Sequence, residues 1–247
     1  MRKVKVAGRV RSVCGRYVSA EDPSQLRLFF ETTETEVVET LPHNYNVAPT
    51  QNVYVVDALS GSRVMRVVKW GLVPQWASDP AIASKLINAR SDTVFEKPSF
   101  KNAAAKTRCL IPATGWYEWK TVDVDPKGRK RPFYIHSTDG NPLAFAGLLE
   151  AWRQPDGQWL KTMSIITTDA CQEVAPIHDR MPVIVARNEW DEWLDPANGA
   201  TPATRNHLAT MLHPTAPGIV RAFEVDPAVN SIRNNGVEMI TPLVGTN

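Results

Sequence analysis

Val53-Tyr54-Val55-Val56, the turn Ser60-Gly61-Ser62, and Arg63-Val64-Met65-Arg66-Val67-Val68 decide the fold class of this chain. Both runs are rich in β-branched residues, and the connection holds the small, permissive residues of a turn. They read as two strands folded back on each other. The same signature recurs downstream. Gly115-Trp116-Tyr117-Glu118-Trp119-Lys120 is a strand by its aromatic density, and Phe133-Tyr134-Ile135-His136, Leu143-Ala144-Phe145-Ala146 and Lys161 to Thr168 are further strands. A charged hairpin tip is expected over Asp123 to Arg131. Strands therefore outnumber helices and several are joined by short turns. That pattern is α+β with a largely antiparallel sheet, not an alternating βαβ series.

The remaining stretches fill in around these strands. Leu26, Phe29 and Phe30 recur at helical spacing behind Ser24, which predicts a short amphipathic helix over Glu21 to Glu31 with Ser24 as its cap. Phe100 to Lys106, Trp190 to Leu194 and Ala203 to Leu212 read as helices, and Phe223-Glu224-Val225 closes the chain's strands. Asn44 to Thr50 is polar and ends beside a proline, so it reads as a turn, and Trp70 to Trp76 reads as a loop carrying two indoles. No linker-like stretch or internal repeat divides the chain, so a single domain is expected over residues 14–242 behind a leader over residues 1–13.

Composition narrows the function classes. Of 247 residues, 43% are hydrophobic and 22% charged, enough apolar material for a substantial core. No apolar run approaches the ~20 residues needed to span a bilayer, and the leader lacks the apolar centre of a secretory signal. Three widely spaced cysteines argue for a reducing cytosol rather than a disulfide framework. No metal-ligand spacing stands out, and no metal or organic cofactor is expected. The formal charge of +2 conceals an asymmetry, because Arg2, Lys3, Lys5, Arg9 and Arg11 all precede Val13. Setting those five aside leaves 23 basic and 26 acidic residues, a balance of −3. A nucleic-acid surface on the remainder must then be a local cluster of placed cations.

Within Val13-Cys14-Gly15-Arg16-Tyr17, Cys14 lies close to the start of the chain. Were it the terminal residue, it would carry a free α-amine beside its thiol, a 1,2-aminothiol that condenses with an aldehyde to a five-membered thiazolidine. Two routes lead there: translation from Val13, or cleavage of a basic pro-segment. The ordinary fate of a lone cysteine is burial as a small hydrophobe, which is the reading given to Cys109 and Cys171. Arg16 is expected to lower the pKa of the neighbouring thiol and to be able to hold a phosphate.

Strand alternation puts Glu118 on one face with Trp116 and Lys120, and Tyr117 with Trp119 on the other. Glu118 is then either a partly desolvated acid–base group or an exposed partner of Lys120. His178, in Ile177-His178-Asp179-Arg180-Met181-Pro182, is either a titrating group beside an acid and a base or a structural histidine bonded to backbone. Ile87-Asn88-Ala89-Arg90 is either an ordinary loop or a place where Asn88 orients a ligand and Arg90 grips phosphate. Trp70 is expected in the core and Trp76 exposed, suited to stacking on a base.

Taken in order, Cys14-Gly15-Arg16-Tyr17, Tyr45-Asn46-Val47-Ala48-Pro49, Trp70-Gly71-Leu72-Val73-Pro74-x-Trp76, Asn88-Ala89-Arg90-Ser91, Gly115 to Trp119, Ile177 to Pro182 and Val229-Asn230 resemble the SOS-response-associated peptidase-like (SRAP) family, over nearly the whole chain. The resemblance implies a barrel-like mixed sheet flanked by short helices. It also implies abasic-site processing: covalent thiazolidine capture of the abasic aldehyde in single-stranded DNA by Cys14, with self-processing and lyase chemistry through an imine. Carried over by motif, Cys14, Asn88, Glu118 and His178 are the catalytic set. Arg16, Arg90 and Arg180 bind phosphates, Trp76 stacks beside the lesion, and Asn46 and Pro49 shape the DNA groove. A monomeric, cytoplasmic, nucleoid-associated protein without membrane contact is the matching expectation. Two rival readings are a cysteine peptidase acting on other proteins and a non-covalent single-strand-binding module. The sequence departs from the family pattern in one respect: the motif there follows the initiator methionine directly, while here twelve residues and Val13 intervene.

Overall fold

The computed structural model describes residues 14–35, 40–121 and 129–243. The expected leader and the tip of the expected charged hairpin, residues 122–128, lie outside the described residues. In chain order the elements are β1 (Tyr17–Ser19), α1 (Pro23–Phe29), β2 (Glu34–Thr35), β3 (Asn44–Val47), β4 (Asn52–Asp57), β5 (Val64–Trp70), β6 (Asn88–Arg90), α2 (Lys101–Lys106), β7 (Arg108–Ala113), β8 (Gly115–Thr121), β9 (Lys130–Ser137), β10 (Leu143–Arg153), β11 (Trp159–Asp169), β12 (Arg180–Pro182), α3 (Trp190–Leu194), α4 (Pro202–Thr210) and β13 (Val220–Glu224). The architecture is α+β, as the strand-rich pattern requires.

The β4–β5 hairpin forms with Val53 opposite Val68 and Val55 opposite Arg66. Its turn is made possible by Gly61 at φ +90°, a conformation that strains any residue with a Cβ. From this hairpin a ring closes. β4 pairs β7, β7 pairs β10, β10 pairs β11, and β11 returns to β5 through the parallel pairs Thr162–Lys69 and Met163–Trp70. The result is a five-stranded mixed barrel, with β2, β6 and β12 added at its margins. A second sheet, in the order β13-β9-β8-β1-β3, is antiparallel throughout.

Alternation along the barrel strands feeds two cores. Tyr54, Val56, Leu110 and Ala146 pack with Leu26, Phe30, Trp190, Trp193 and Leu208, beneath the helices. Val53, Val55, Ile111, Phe145 and Met163 pack instead with Cys14, Tyr17 and Trp116 of the second sheet. Both strand faces are therefore covered, which is why these strands read as unbroken apolar runs. The seam between the sheets is aromatic: Tyr17 meets Trp70 edge-on at 5.3 Å between centroids, and Trp116 meets Phe145 at 5.8 Å. Each such pair adds about 0.5–1.5 kcal/mol beyond its area burial.

Three local expectations are corrected. Asp22, not Ser24, caps α1, because the Asp22 carboxylate accepts from the Ser24 amide at 2.7 Å while Pro23 opens the helix. Asn44–Val47 is a strand rather than a turn, since its backbone pairs with β1 and its asparagines find partners of their own. Asn88–Arg90 is a strand rather than a loop, laid parallel on β11.

One buried cation ties helices to barrel. Arg108, 1% exposed, donates Nε to the Trp193 carbonyl at 2.6 Å and Nη1 to the carbonyls of Ala104 and Ala105 at 2.8 and 2.9 Å. Its Nη2 donates to the Asp195 carbonyl. These are carbonyls at the C-terminal ends of α2 and α3, where the helix has none of its own donors left and its dipole is negative. Replacing Arg108 by Met keeps the stem but leaves several buried carbonyls without donors. Thermal unfolding should show a loss of roughly 3–5 kcal/mol; a loss near zero would mean that water replaces the guanidinium without cost.

Candidate functional site

The site is built by the pairing of β1 with β8. Tyr17 lies opposite Trp116 and Val18 opposite Gly115, and the Tyr117 amide still reaches the Arg16 carbonyl at 3.1 Å. Continuing that ladder carries Cys14 to the side of Glu118. There the chain leaves extended geometry, with Cys14 at φ +43°. A non-glycine residue in this region costs about 1–3 kcal/mol and persists only where its surroundings hold it. The hold is visible: the Cys14 backbone N–H donates to Glu118 Oε1 at 2.7 Å, in a buried environment.

Glu118 is on the face that alternation assigned to it. Trp116 enters the core shared with Cys14, while Tyr117 and Trp119 pack on the opposite side of the sheet with Val225, Val229 and Met239. The carboxyl is 1% exposed, so the reading of Glu118 as a solvated partner of Lys120 does not hold. Burial pushes its pKa up to about 8, with the Cys14 N–H and the Lys130 charge opposing and Asp179 adding slightly. The Cys14 thiol is likewise raised well above its ordinary value, first by burial and then by Glu118. The expectation that Arg16 lowers this thiol's pKa is therefore overturned. The physical reason is that the guanidinium is turned away: it donates to Asn46 Oδ1 at 2.6 Å and to the carbonyls of Val229 and Asn230 at 2.9 and 3.2 Å.

His178 stands on the far side of Glu118, with Nε2 4.0 Å from Oε2. That is within Coulombic reach but beyond a hydrogen bond. Its Nδ1 lies 3.1 Å from the Arg180 amide and 3.0 Å from Asp179 Oδ1, and it serves one of these at a time. Where Nδ1 accepts from the Arg180 amide, the ring proton sits on Nε2, on the side of Glu118. Cys14, Glu118 and His178 are thus brought together in a chain of contacts.

The other sequence candidates are placed as follows. Asn46 is buried and joins Arg16 in holding the segment after Val229. Pro49 is half-buried in the turn before β4. Asn88 and Arg90 lie on β6, opposite Ile165 and Thr167 of β11. Arg90 is exposed and makes a two-pronged contact with Asp92 at 3.1 and 2.6 Å. Arg180 is buried against β11, donating to the Thr167 carbonyl at 2.6 Å and to Asp169 at 2.9 Å. Trp70 is in the core and Trp76 is 58% exposed. Cys109 and Cys171 are buried, in keeping with packing roles. Trp119 was missed: its indole Nε1 donates to Asn230 Oδ1 at 2.7 Å, and alternation away from Glu118 was the available signal. Among the described residues, no group of three or more His, Cys, Asp or Glu is placed to hold a metal ion. Among the same residues, no helix is long and apolar enough to cross a membrane.

Comparison with known proteins adds a common theme. A family model described as SOS response associated peptidase (SRAP) matches residues 13–232. The abasic site processing protein YoqW of Bacillus subtilis is 42% identical over 80% of this chain and 85% of its own length. The mouse abasic site processing protein HMCES is 33% identical over 75% of this chain and 59% of its own length. A crystal structure of a Bacteroides thetaiotaomicron protein superposes with a TM-score of 0.82 at 27% identity, covering 94% of this chain and all of that one.

The raised Glu118 pKa has a measurable consequence. The folded protein binds this proton more tightly than the unfolded chain, so stability falls as pH rises from about 4.5 through about 8. Glu118→Gln keeps the acceptor for Cys14 N–H and removes the titration. Melting curves should show the wild type losing several degrees relative to Glu118→Gln between pH 5 and about 8. Parallel pH profiles for the two proteins would mean that Glu118 is ionised in the fold throughout.

Proposed function

The chain belongs to the SOS response associated peptidase family, and on that premise we propose that it processes abasic sites by covalent capture in single-stranded DNA. The observation that carries this reading is the 2.7 Å contact between Cys14 N and Glu118 Oε1, with a buried thiol on the same residue. One residue presents both nucleophiles of an aminothiol, and its nitrogen already faces an acid. In the described chain that nitrogen is an amide behind Val13. Hydrolysis of the Val13–Cys14 bond, or a chain beginning at Cys14, turns it into the α-amine.

The chemistry then runs in order. The ring-opened abasic sugar offers an aldehyde at C1′. The Cys14 amine, with a free pKa near 7.7–8.0, is partly neutral at pH 7 and adds first, because burial keeps the thiol protonated. The adduct is a carbinolamine. Glu118, whose burial favours the carboxylic acid, protonates the departing hydroxyl, and water leaves to give the imine. The thiol adds to the imine carbon and its proton passes to nitrogen, closing the thiazolidine. Aldehyde and aminothiol thus become thiazolidine and one water. The His178 Nε2–H would hold the sugar oxygen and favour the ring-opened form. If closure fails, the imine acidifies C2′ and permits loss of the 3′ phosphate, a lyase outcome that the thiol suppresses.

The same geometry supports self-processing over cleavage of other proteins. A cysteine peptidase needs its thiol pKa lowered by a cation or imidazole, whereas here burial and Glu118 raise it. Self-cleavage needs water to add to the Val13 carbonyl, which leaves as the carboxylate, and a proton for the departing Cys14 nitrogen, and Glu118 is placed to give that proton. For phosphate contact, Arg90 is the exposed member of the three arginines, and Trp76 offers an exposed indole to a base.

The test is a denaturing gel of protein incubated with single-stranded DNA carrying an abasic site. Protein starting at Cys14 should give a heat-stable adduct and Cys14→Ala none. Cys14→Ser retains the amine but has only a hydroxyl to close the ring, so it should give an adduct only after borohydride reduction. Glu118→Gln should slow adduct formation by roughly a hundredfold. A heat-stable adduct from leader-bearing protein shown by mass spectrometry to be uncut would overturn the aminothiol mechanism.

A further inference from the structure

Two residues flank the chemistry in sequence, Arg16 beyond Cys14 and Trp119 beyond Glu118, and both are spent on the same distant segment. Arg16 donates to the carbonyls of Val229 and Asn230, and Trp119 donates to the Asn230 side chain. Asn46 completes the hold. Its Nδ2 lies 3.1, 3.0 and 3.0 Å from the carbonyls of Val229, Ser231 and Asn234, so two hydrogens are shared among three acceptors. At the far end the Asn235 side chain bridges the Tyr45 amide and the His43 carbonyl. Fixing each loop residue costs about 1–2 kcal/mol of backbone entropy, and here a buried asparagine and an arginine offset that cost.

What this held loop presents is an isoleucine and an arginine. Ile232 is 56% exposed, and Arg233 is exposed with no ion pair among the described residues. An exposed isoleucine by itself needs no explanation. An apolar side chain and a cation in succession, on a segment hydrogen-bonded to Arg16 and Trp119, form a contact surface tied to the site through the two strands that carry the reacting residues. Apolar side chains of this kind insert against base steps, and adjacent arginines take the phosphate.

We infer that the Ile232-Arg233 tip reads the nucleotide next to the lesion, Ile232 against its base and Arg233 on its phosphate, while Arg16 and Asn46 act as positioning residues that hold the tip. This rests on the reading that the chain binds single-stranded DNA at an abasic site. It also accounts for Arg16, expected to bind phosphate, and Asn46, expected to shape the DNA groove, both of which donate to backbone carbonyls of this segment.

The experiment is equilibrium binding by fluorescence anisotropy, using the full chain and a labelled single strand carrying a tetrahydrofuran abasic analogue, which has no aldehyde and cannot be captured. A second tetrahydrofuran placed on the 5′ or the 3′ side removes one flanking base. Ile232→Ala should weaken binding about tenfold, and removing the contacted base should weaken the wild type by a similar factor. On one of the two sides the combination should cost about tenfold rather than a hundredfold, because both changes delete one contact. Arg233→Ala should reduce the salt dependence by about one phosphate, with Arg233→Lys restoring it. Melting temperatures should match the wild type, both side chains being exposed. Losses that multiply on both sides, or an unchanged salt slope in Arg233→Ala, would overturn the inference. Coupled losses in a protein that forms no adduct with true abasic DNA would sustain this inference and sink covalent capture. Absence of any binding by the wild type would sink both.

Discussion

The hydrogen bond from Cys14 N–H to Glu118 organises more of this molecule than its 2.7 Å suggests. It places a carboxyl in the seam between a closed barrel and a second sheet, buried from solvent. A buried carboxylate is costly, so the group is held as the acid to about pH 8. The same burial holds the thiol protonated. Both properties follow from the aromatic seam of Tyr17, Trp70, Trp116 and Phe145, which excludes solvent from the place where the β1 strand begins. The strained backbone of Cys14 is sustained by the same neighbours that raise its thiol's pKa.

The arginines illustrate how a site can look like a binding surface in sequence and serve another end in the fold. Arg16 and Arg180 each commit part of the guanidinium to oxygen atoms of the protein, Arg16 to Asn46 and the Val229 and Asn230 carbonyls, Arg180 to Asp169 and Thr167. A guanidinium has five donors in a fixed plane and meets several carbonyls as readily as a phosphate. Only the three-dimensional arrangement of acceptors decides between the two, and that is invisible in a residue list. Arg90 differs because its partner, Asp92, is exposed and two residues away. A pair of that kind is worth little in water, so an approaching phosphate can compete for it.

Much of the fold was legible because the barrel strands bury both faces. Runs such as Val53 to Val56 and Lys161 to Thr168 declare themselves by composition alone. The six-residue β7, which contains Pro112, was missed; the other missed strands, β1, β2, β3, β6 and β12, are two to four residues long. So short a segment holds no periodicity, and Asn44, Asn46 and Asn88 mimic turn residues. Barrel closure was hidden for another reason. It depends on a parallel pairing between Trp70 and Met163, far apart in the chain, which no local pattern encodes. At the site, alternation correctly placed Glu118 with Trp116. What alternation does not supply is register, and it is the β1–β8 register that brings Cys14 to Glu118.

Register also explains why the N-terminal motif and the C-terminal segment act as one. β8 carries Glu118 toward the barrel and Trp119 to the reverse face, where the segment from Val229 to Met239 packs. The segment leading into β1 repeats the division, with the Cys14 nitrogen on Glu118 and the Arg16 guanidinium on the Val229 and Asn230 carbonyls. A shift of one residue in the β1–β8 register would break both sets of contacts together. The Cys14–Glu118 contact and the loop on the reverse face are therefore coupled through the backbone, without a separate structural element to join them.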